Sequence, residues 1–187
     1  MAKFKTERNE EIVLTNDIFT KQDGLKSQLE WIKRQLEYTD YAGKYVLRYD
    51  LKRGEIYEFD WGVNVNAEFS NRHYGVVLVD SGASNPLVTV CPLKSFHKEI
   101  NPRSDVKLGH IVGLGGQNET VAVVNQVRTI DKFRIYLRGI IGTKYHWQLS
   151  DSYSSSNRHI MRLNEDKLNM VLEAYKKYLL NELGKTE

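Results

Sequence analysis

The chain has 187 residues, 41% of them apolar and 27% charged, a profile that bounds it to one globular domain with room for an appended segment and excludes a disordered chain. A net charge of +3 mildly favours a polyanionic partner, while a single cysteine, Cys91, excludes an intramolecular disulfide and a cysteine-based metal cluster. No run approaches about eighteen apolar residues, and the N-terminal MAKFKTERNEE lacks the apolar stretch of a signal peptide, so the expectation is a cytoplasmic protein with no membrane partner.

Residues 1–50 read as a helical extension. The stretch LKSQLEWIKRQLEY places Leu25, Leu29, Ile32 and Leu36 at helical spacing among charges, an apolar stripe that packs on the domain's own surface or docks a partner. Residues 51–187 form the main domain. From Arg53 the pattern changes to short apolar runs bounded by turn residues: EIYEFDW, YGVVLVD, LVTVCPL, HIVGL and TVAVVNQV, whose spacing suits a small antiparallel barrel. The loops DSGASNP (80–86) and LGGQNE (114–119) carry the turn chemistry between them. Residues 144–159, polar, serine-rich and aperiodic, read as an exposed insertion. A helix closes the chain, with Asn164 as N-cap, Glu165 and Asp166 in the first turn, and Leu168, Val171, Leu172, Tyr175, Tyr178 and Leu179 as the face that covers the barrel. The fold class is therefore α+β.

The five histidines, His73, His97, His110, His146 and His159, show no HExxH pair and no acidic residues at ligand spacing, so neither a metal nor another cofactor is expected. There is no phosphate-binding GxxxxGK[ST] loop and no GxSxG elbow. What remains is a set of polar groups at strand ends, in 66–74, 92–97 and 125–134. Cleaving RNA without a metal needs a base near the ribose 2′-hydroxyl, cations around the phosphorus and an acid for the leaving oxygen, and histidine, lysine and arginine can supply all three. His73 has an ordinary pKa near neutrality, which a neighbouring cation such as Arg72 would lower; Lys94 and Ser95 offer a point charge and a hydroxyl to a phosphate. Each has a plainer alternative. Arg72 can pair with Glu68 across a turn, His73 can be a hydrogen-bonded turn residue, Lys94 a solvated lysine, and Arg128 and Asp131 a local pair.

Several of these segments resemble the MazF/PemK toxins of type II toxin-antitoxin systems. RGEIYEFDWG (53–62) is similar to the family's opening strand, NAEFSNRHYGVVLVD (66–80) to its Gly-Ser-Glu loop and Arg-Pro strand entry, VTVCPLKS (88–95) to the strand ending in Pro-Leu-Thr-Ser, VVNQVRTIDKFRI (123–135) to its Gln-Ile-Arg-Thr-Leu-Asp segment, and MRLNEDKLNMVLEAYKKYL (161–179) to its closing turn and helix. The resemblance covers roughly 52–136 and 160–183. It implies an SH3-like antiparallel barrel of the MazF/PemK/CcdB kind with a C-terminal helix. It also implies a metal-independent, sequence-selective endoribonuclease that cuts single-stranded RNA by 2′-hydroxyl attack, leaving a 2′,3′-cyclic phosphate, and that works as a homodimer with a cognate antitoxin.

The departures lie at the site. Where the family has its catalytic Arg followed by Pro, this chain has His73 and Tyr74, with Arg72 one position early; where it has its catalytic Thr, this chain has Lys94, with Ser95 retained. Either the site has been rebuilt, with His73, Lys94, Arg72 and Ser95 as its catalytic set, or the barrel binds RNA or an antitoxin-like protein without cutting. Around that set, Glu68, Phe69, Asn71, Tyr74, Gln126 and Arg128 are the expected RNA contacts, offering stacking surfaces, amides and charge.

Overall fold

The computed structural model describes residues 3–5, 11–13, 22–42, 50–64, 67–114, 118–136 and 161–182. The chain divides into two compact units, Met1–Tyr45 and Val46–Glu187. In the first, β1 (Lys3–Lys5) and β2 (Glu11–Val13) pair antiparallel, Lys3 opposite Val13, and α1 spans Gln22–Ala42. Leu29, Ile32 and Leu36 of the expected apolar stripe are exposed, and among the described side chains of α1 the buried one is Trp31, which meets Tyr38 edge-on and lies beneath Arg34. The side chain of Leu25 and the 144–159 insertion lie outside the described residues.

The second unit is one antiparallel sheet: β3 (Glu55–Asp60), β4 (Arg72–Val77), β5 (Leu87–Ser95), β6 (Asp105–Gly109), β7 (Thr120–Val123), β8 (Arg128–Asp131), β9 (Ile135–Tyr136) and β10 (Met161–Arg162), in the order β10-β3-β4-β5-β7-β6, with β8 beside β5 and β9 beside β3. Four of the five expected strands are present. The fifth, HIVGL, is not a strand: the ladder runs through Asp105–Gly109, and residues 112–114 are turn. A buried Asp105 and an exposed Lys107 break the apolar alternation there, which is why the sequence pattern passes over the strand. Among the described residues the sheet branches and does not close on itself, and no helix is long and apolar enough to cross a membrane.

β5 organises the sheet. Its first half, Leu87–Val90, pairs with β8, its middle, Val90–Pro92, with β4, and its last three residues, Leu93–Ser95, with β7. Pro92, which has no N–H to give a ladder, stands where these partners change.

Side-chain alternation divides the core between two faces. Ile56, Val76, Leu78, Cys91 and Leu93 pack with α2 (Glu165–Leu179) through Leu168, Val171 and Ala174. Asn164 caps this helix as expected, its side chain accepting from Lys167 N at 3.0 Å. Tyr178 and Leu179, placed in the covering face by periodicity, are instead 39% and 64% exposed, since the helix runs past the sheet in its last turn. The opposite face is aromatic: Tyr57, Phe59 and Trp61 follow one another edge to face at 6.3 and 5.8 Å, and Phe69 continues the row 5.9 Å from Trp61. Lys132, with no exposed surface, donates from Nζ to the carbonyls of Gly82 (2.8 Å) and Ser81 (3.3 Å) and so ties down the 80–86 loop; burial pulls its pKa down, while Asp50 and Asp131 oppose the shift.

Gly75 fits beneath the aromatic row because it has no side chain: a Cβ there would sit 3.0 Å from both Phe59 Cδ2 and Trp61 Cζ2. Gly75→Ala is therefore expected to destabilise the domain by about 1–3 kcal/mol in urea unfolding. A variant as stable as the parent would show that the aromatic row yields.

Candidate active site

β4 and β5 part company beyond the pair Gly75 and Pro92: Arg72, His73 and Tyr74 keep only β3 as a neighbour, while Leu93, Lys94 and Ser95 turn to β7. Between the separated ends lies a cavity of about 400 Å³. Arg72, His73 and Tyr74 form one wall and Leu93, Lys94 and Ser95 another, with Glu58 on β3 and with Leu114, Asn118 and Thr120 completing it. Five residues singled out in the sequence, Arg72, His73, Tyr74, Lys94 and Ser95, are thus brought together. Glu58, Asn118 and Thr120 were not anticipated.

His73 is exposed on one side and packed on the other. The Phe69 ring lies edge-on 5.0 Å from its own, and Trp61 Nε1 donates to its backbone oxygen at 3.0 Å. Burial pulls the imidazole pKa below 6.5, opposed by the Glu58 carboxylate and the Ser70 carbonyl. The downward direction is the one read from the sequence, but its cause is burial and not Arg72.

Lys94 differs from its expected state. Its Nζ lies 2.7 Å from Asp105 Oδ2, and the Asp105 side chain, 2% exposed, also accepts from Asn101 N (3.1 Å) and Ser104 Oγ (3.0 Å). The ammonium is compensated by a buried carboxylate, while the lysine side chain itself stays 37% exposed. Arg72, by contrast, makes no ion pair with a described carboxylate, Glu68 included; its guanidinium carbon lies 4.0 Å from the centroid of the Tyr136 ring.

The loop before β4 is held from within and from across the sheet. Asn71 takes a left-handed conformation (φ 64°), Asn64 Nδ2 donates to the carbonyls of Trp61 (2.9 Å) and Phe69 (2.5 Å), and Ser70 Oγ to that of Glu68 (3.2 Å). Arg128 Nη2 donates to Phe69 O at 2.8 Å while its guanidinium carbon sits 4.8 Å from the Trp61 ring centroid. Burial and Arg134 pull its pKa down against Glu68. Arg128, read as an RNA contact, is therefore built in as the brace of the loop, and Asp131, its suggested local partner, accepts from Phe133 N instead. Gln126 meets the same loop through a long contact, Phe69 N to Oε1 at 3.5 Å. Of the six expected RNA contacts only Tyr74 lines the cavity; Glu68, Phe69, Asn71, Gln126 and Arg128 belong to the loop and its support.

Cys91 is buried, its thiol pushed up to about 12, an inert core residue. Among the described residues no group of three or more histidine, cysteine, aspartate or glutamate side chains is placed to hold a metal ion. His97 and His110 lie outside the cavity, and His146 and His159 outside the described residues.

The Lys94–Asp105 pair yields a prediction. With one partner buried and the other 37% exposed, Lys94→Ala is expected to cost about 2 kcal/mol, between the values for surface and buried pairs. A cycle with Asp105→Asn, read by urea unfolding, should show the double variant less destabilised than the sum of the singles by about 1 kcal/mol or more. Additive losses would dismiss the pair.

The family profile described as "PemK-like, MazF-like toxin of type II toxin-antitoxin system" matches residues 52–179, from just before β3 to the end of α2. Similar solved structures include MazF (form I) from Deinococcus radiodurans, 19% identical, covering 71% of this chain and 98% of that one, with a TM-score of 0.43. An endoribonuclease in complex with its cognate antitoxin from a mycobacterial species is 15% identical, covering 69% and 94%, with a TM-score of 0.42. MazE-MazF (form II) from D. radiodurans is 17% identical, covering 74% and 98%, also with a TM-score of 0.42. No curated protein matches the chain. The profile spans more than half of the sequence and takes in both walls of the cavity, and the chain belongs to the PemK-like, MazF-like toxin family of type II toxin-antitoxin systems.

Proposed function

We propose that the chain is a metal-independent, sequence-selective endoribonuclease that cuts single-stranded RNA and acts as the toxin of a type II pair. The observation that carries the reading is one cavity shared by a half-packed imidazole, kept neutral by its partial burial, and a guanidinium with no described carboxylate against it. A ring nitrogen of neutral His73 accepts the 2′-hydroxyl proton. The 2′ oxygen bonds to phosphorus as the bond from phosphorus to the 5′ oxygen breaks. That oxygen leaves as a hydroxyl after taking a proton, and a 2′,3′-cyclic phosphate remains. Arg72 offers N–H groups to the phosphate from one wall, and Lys94 an ammonium and Ser95 a hydroxyl from the other. Phe69, Asn71, Tyr74 and Gln126 contact the strand on either side, while Glu68 and Arg128 hold the loop that presents it. A second copy of the chain and a cognate antitoxin are the protein partners this reading carries.

The Lys94–Asp105 pair favours a second reading, because it compensates a charge that phosphorane stabilisation would use. On that reading the barrel binds RNA or an antitoxin-like protein and does not cut.

Incubating the folded, antitoxin-free protein with a long single-stranded RNA in EDTA and mapping the ends separates the two. Discrete cuts carrying cyclic phosphates, reduced roughly 10²- to 10⁴-fold in His73→Ala, are the expected result. Intact RNA would leave only the binding module.

The pH profile follows from the His73 shift. The neutral imidazole is the working form, so kcat/KM should rise with pH along an acid limb whose midpoint lies below 6.5 and then level off. Glu58→Gln, which removes a carboxylate that raises this pKa, should move the midpoint lower still. Stability shifts in the same sense: the unfolded chain takes up the proton first, so the contribution is complete above pH 6.5 and is lost as pH falls toward the folded-state value. A midpoint above 6.5 would dismiss His73 as the base.

A further inference from the structure

Arg72 and Tyr136 form a layer at the rim of the cavity that the chemistry above leaves half used. Glu58 and Arg72 both line the cavity, and Tyr136, on β9 directly opposite Glu58, stands behind that lining and reaches the site through Arg72. The Arg72 guanidinium carbon is 4.0 Å from the Tyr136 ring centroid, well inside the distance at which a cation is held against an aromatic face. Such a contact holds a long, otherwise mobile side chain over the ring. Because Arg72 is exposed, the side turned away from the ring remains open to solvent. Lys94 across the cavity offers nothing equivalent, being a point charge held by Asp105.

A planar cation backed by an aromatic ring is a surface on which an unpaired base stacks. Its N–H edge stays available to a phosphate while its face takes the base. The geometry points to Arg72 and Tyr136 as a stacking platform for one nucleobase beside the phosphate that is cut, with Tyr136 a positioning residue that acts through Arg72. This rests on the RNA-cutting reading above. Every base has a π-face, so the platform requires a base at that position without strongly choosing among the four, and it sets where the strand lies rather than which letter it carries.

The test uses the full chain and a short oligoribonucleotide containing a mapped cut site, with a single abasic nucleotide placed in turn at each position flanking the cut. At one position the abasic substrate should raise KM roughly tenfold with kcat changed by less than about twofold. That penalty should vanish in Tyr136→Leu, which removes the ring, and in Arg72→Lys, which keeps the charge but not the plane, and should persist in Tyr136→Phe. Arg72 is exposed, so Arg72→Lys gives the answer even where Tyr136→Leu fails to fold. Where Arg72→Lys cuts too slowly for a KM, its abasic penalty is read as Kd on a substrate with a 2′-deoxy nucleotide at the cut. An equal penalty in the parent and in Arg72→Lys, or none at any position, overturns the platform. If the parent binds RNA without cutting it, the nuclease reading falls and the same scan is read in Kd: a penalty at one position that disappears in Arg72→Lys upholds the platform. A chain that binds no RNA overturns both.

Discussion

Pro92 interrupts the donor row of β5 at the point where that strand gives up β8 and β4 and takes β7, and the site follows from this exchange. Were β5 to stay paired with β4 along its whole length, the ladder would run on through Tyr74, His73 and Arg72 and leave no space between the strands. The parting of two strand ends places three residues of one and three of the other around a cavity, with their backbones still anchored to β3 and β7. Gly75 and Pro92, the last opposed pair, are therefore as much a part of the site as the side chains beyond them.

Behind the opening, rigidity is supplied by stacked rings and a brace. The aromatic row from Tyr57 to Phe69 ends on His73, so the imidazole is the exposed end of a chain of edge contacts that begins in the core. Arg128, across the sheet, fastens the Phe69 carbonyl and covers Trp61. The charges at the cavity are unequal as a result of their neighbours: Lys94 is compensated by a buried carboxylate, whereas Arg72 rests on a neutral ring. Electrostatic attraction for a phosphate therefore falls mainly to the β4 wall.

What the sequence makes legible is local. The alternation in β3, β4, β5 and β7 and the capped periodicity of α2 are written in consecutive residues, and so is the run from Arg72 to Tyr74 that enters the cavity. Pairings across the sheet are not. Asp105 lies eleven residues beyond Lys94, and nothing in the composition of either strand announces that one will neutralise the other. Arg128 reaches Phe69 over a separation of 59 residues, so its charge reads as a ligand-facing feature until the brace is seen. Tyr136 follows an apolar residue at a short strand and has no local mark beyond its ring. On α1, helical periodicity finds the stripe Leu29, Ile32 and Leu36, yet periodicity alone cannot say which face is covered, and Trp31 is the residue that is.

The brace also orders events during synthesis. The loop and both cavity walls are encoded by residues 67–95, but the strand that fills the first half of β5, the arginine that holds the loop and the tyrosine beneath Arg72 all come from 128–136, and the helix that covers the other face ends only at Leu179. A nascent chain that has exposed the whole lining, from Glu58 to Thr120, still lacks the groups that give the cavity its shape. The site is completed only after residues 128–136 have emerged.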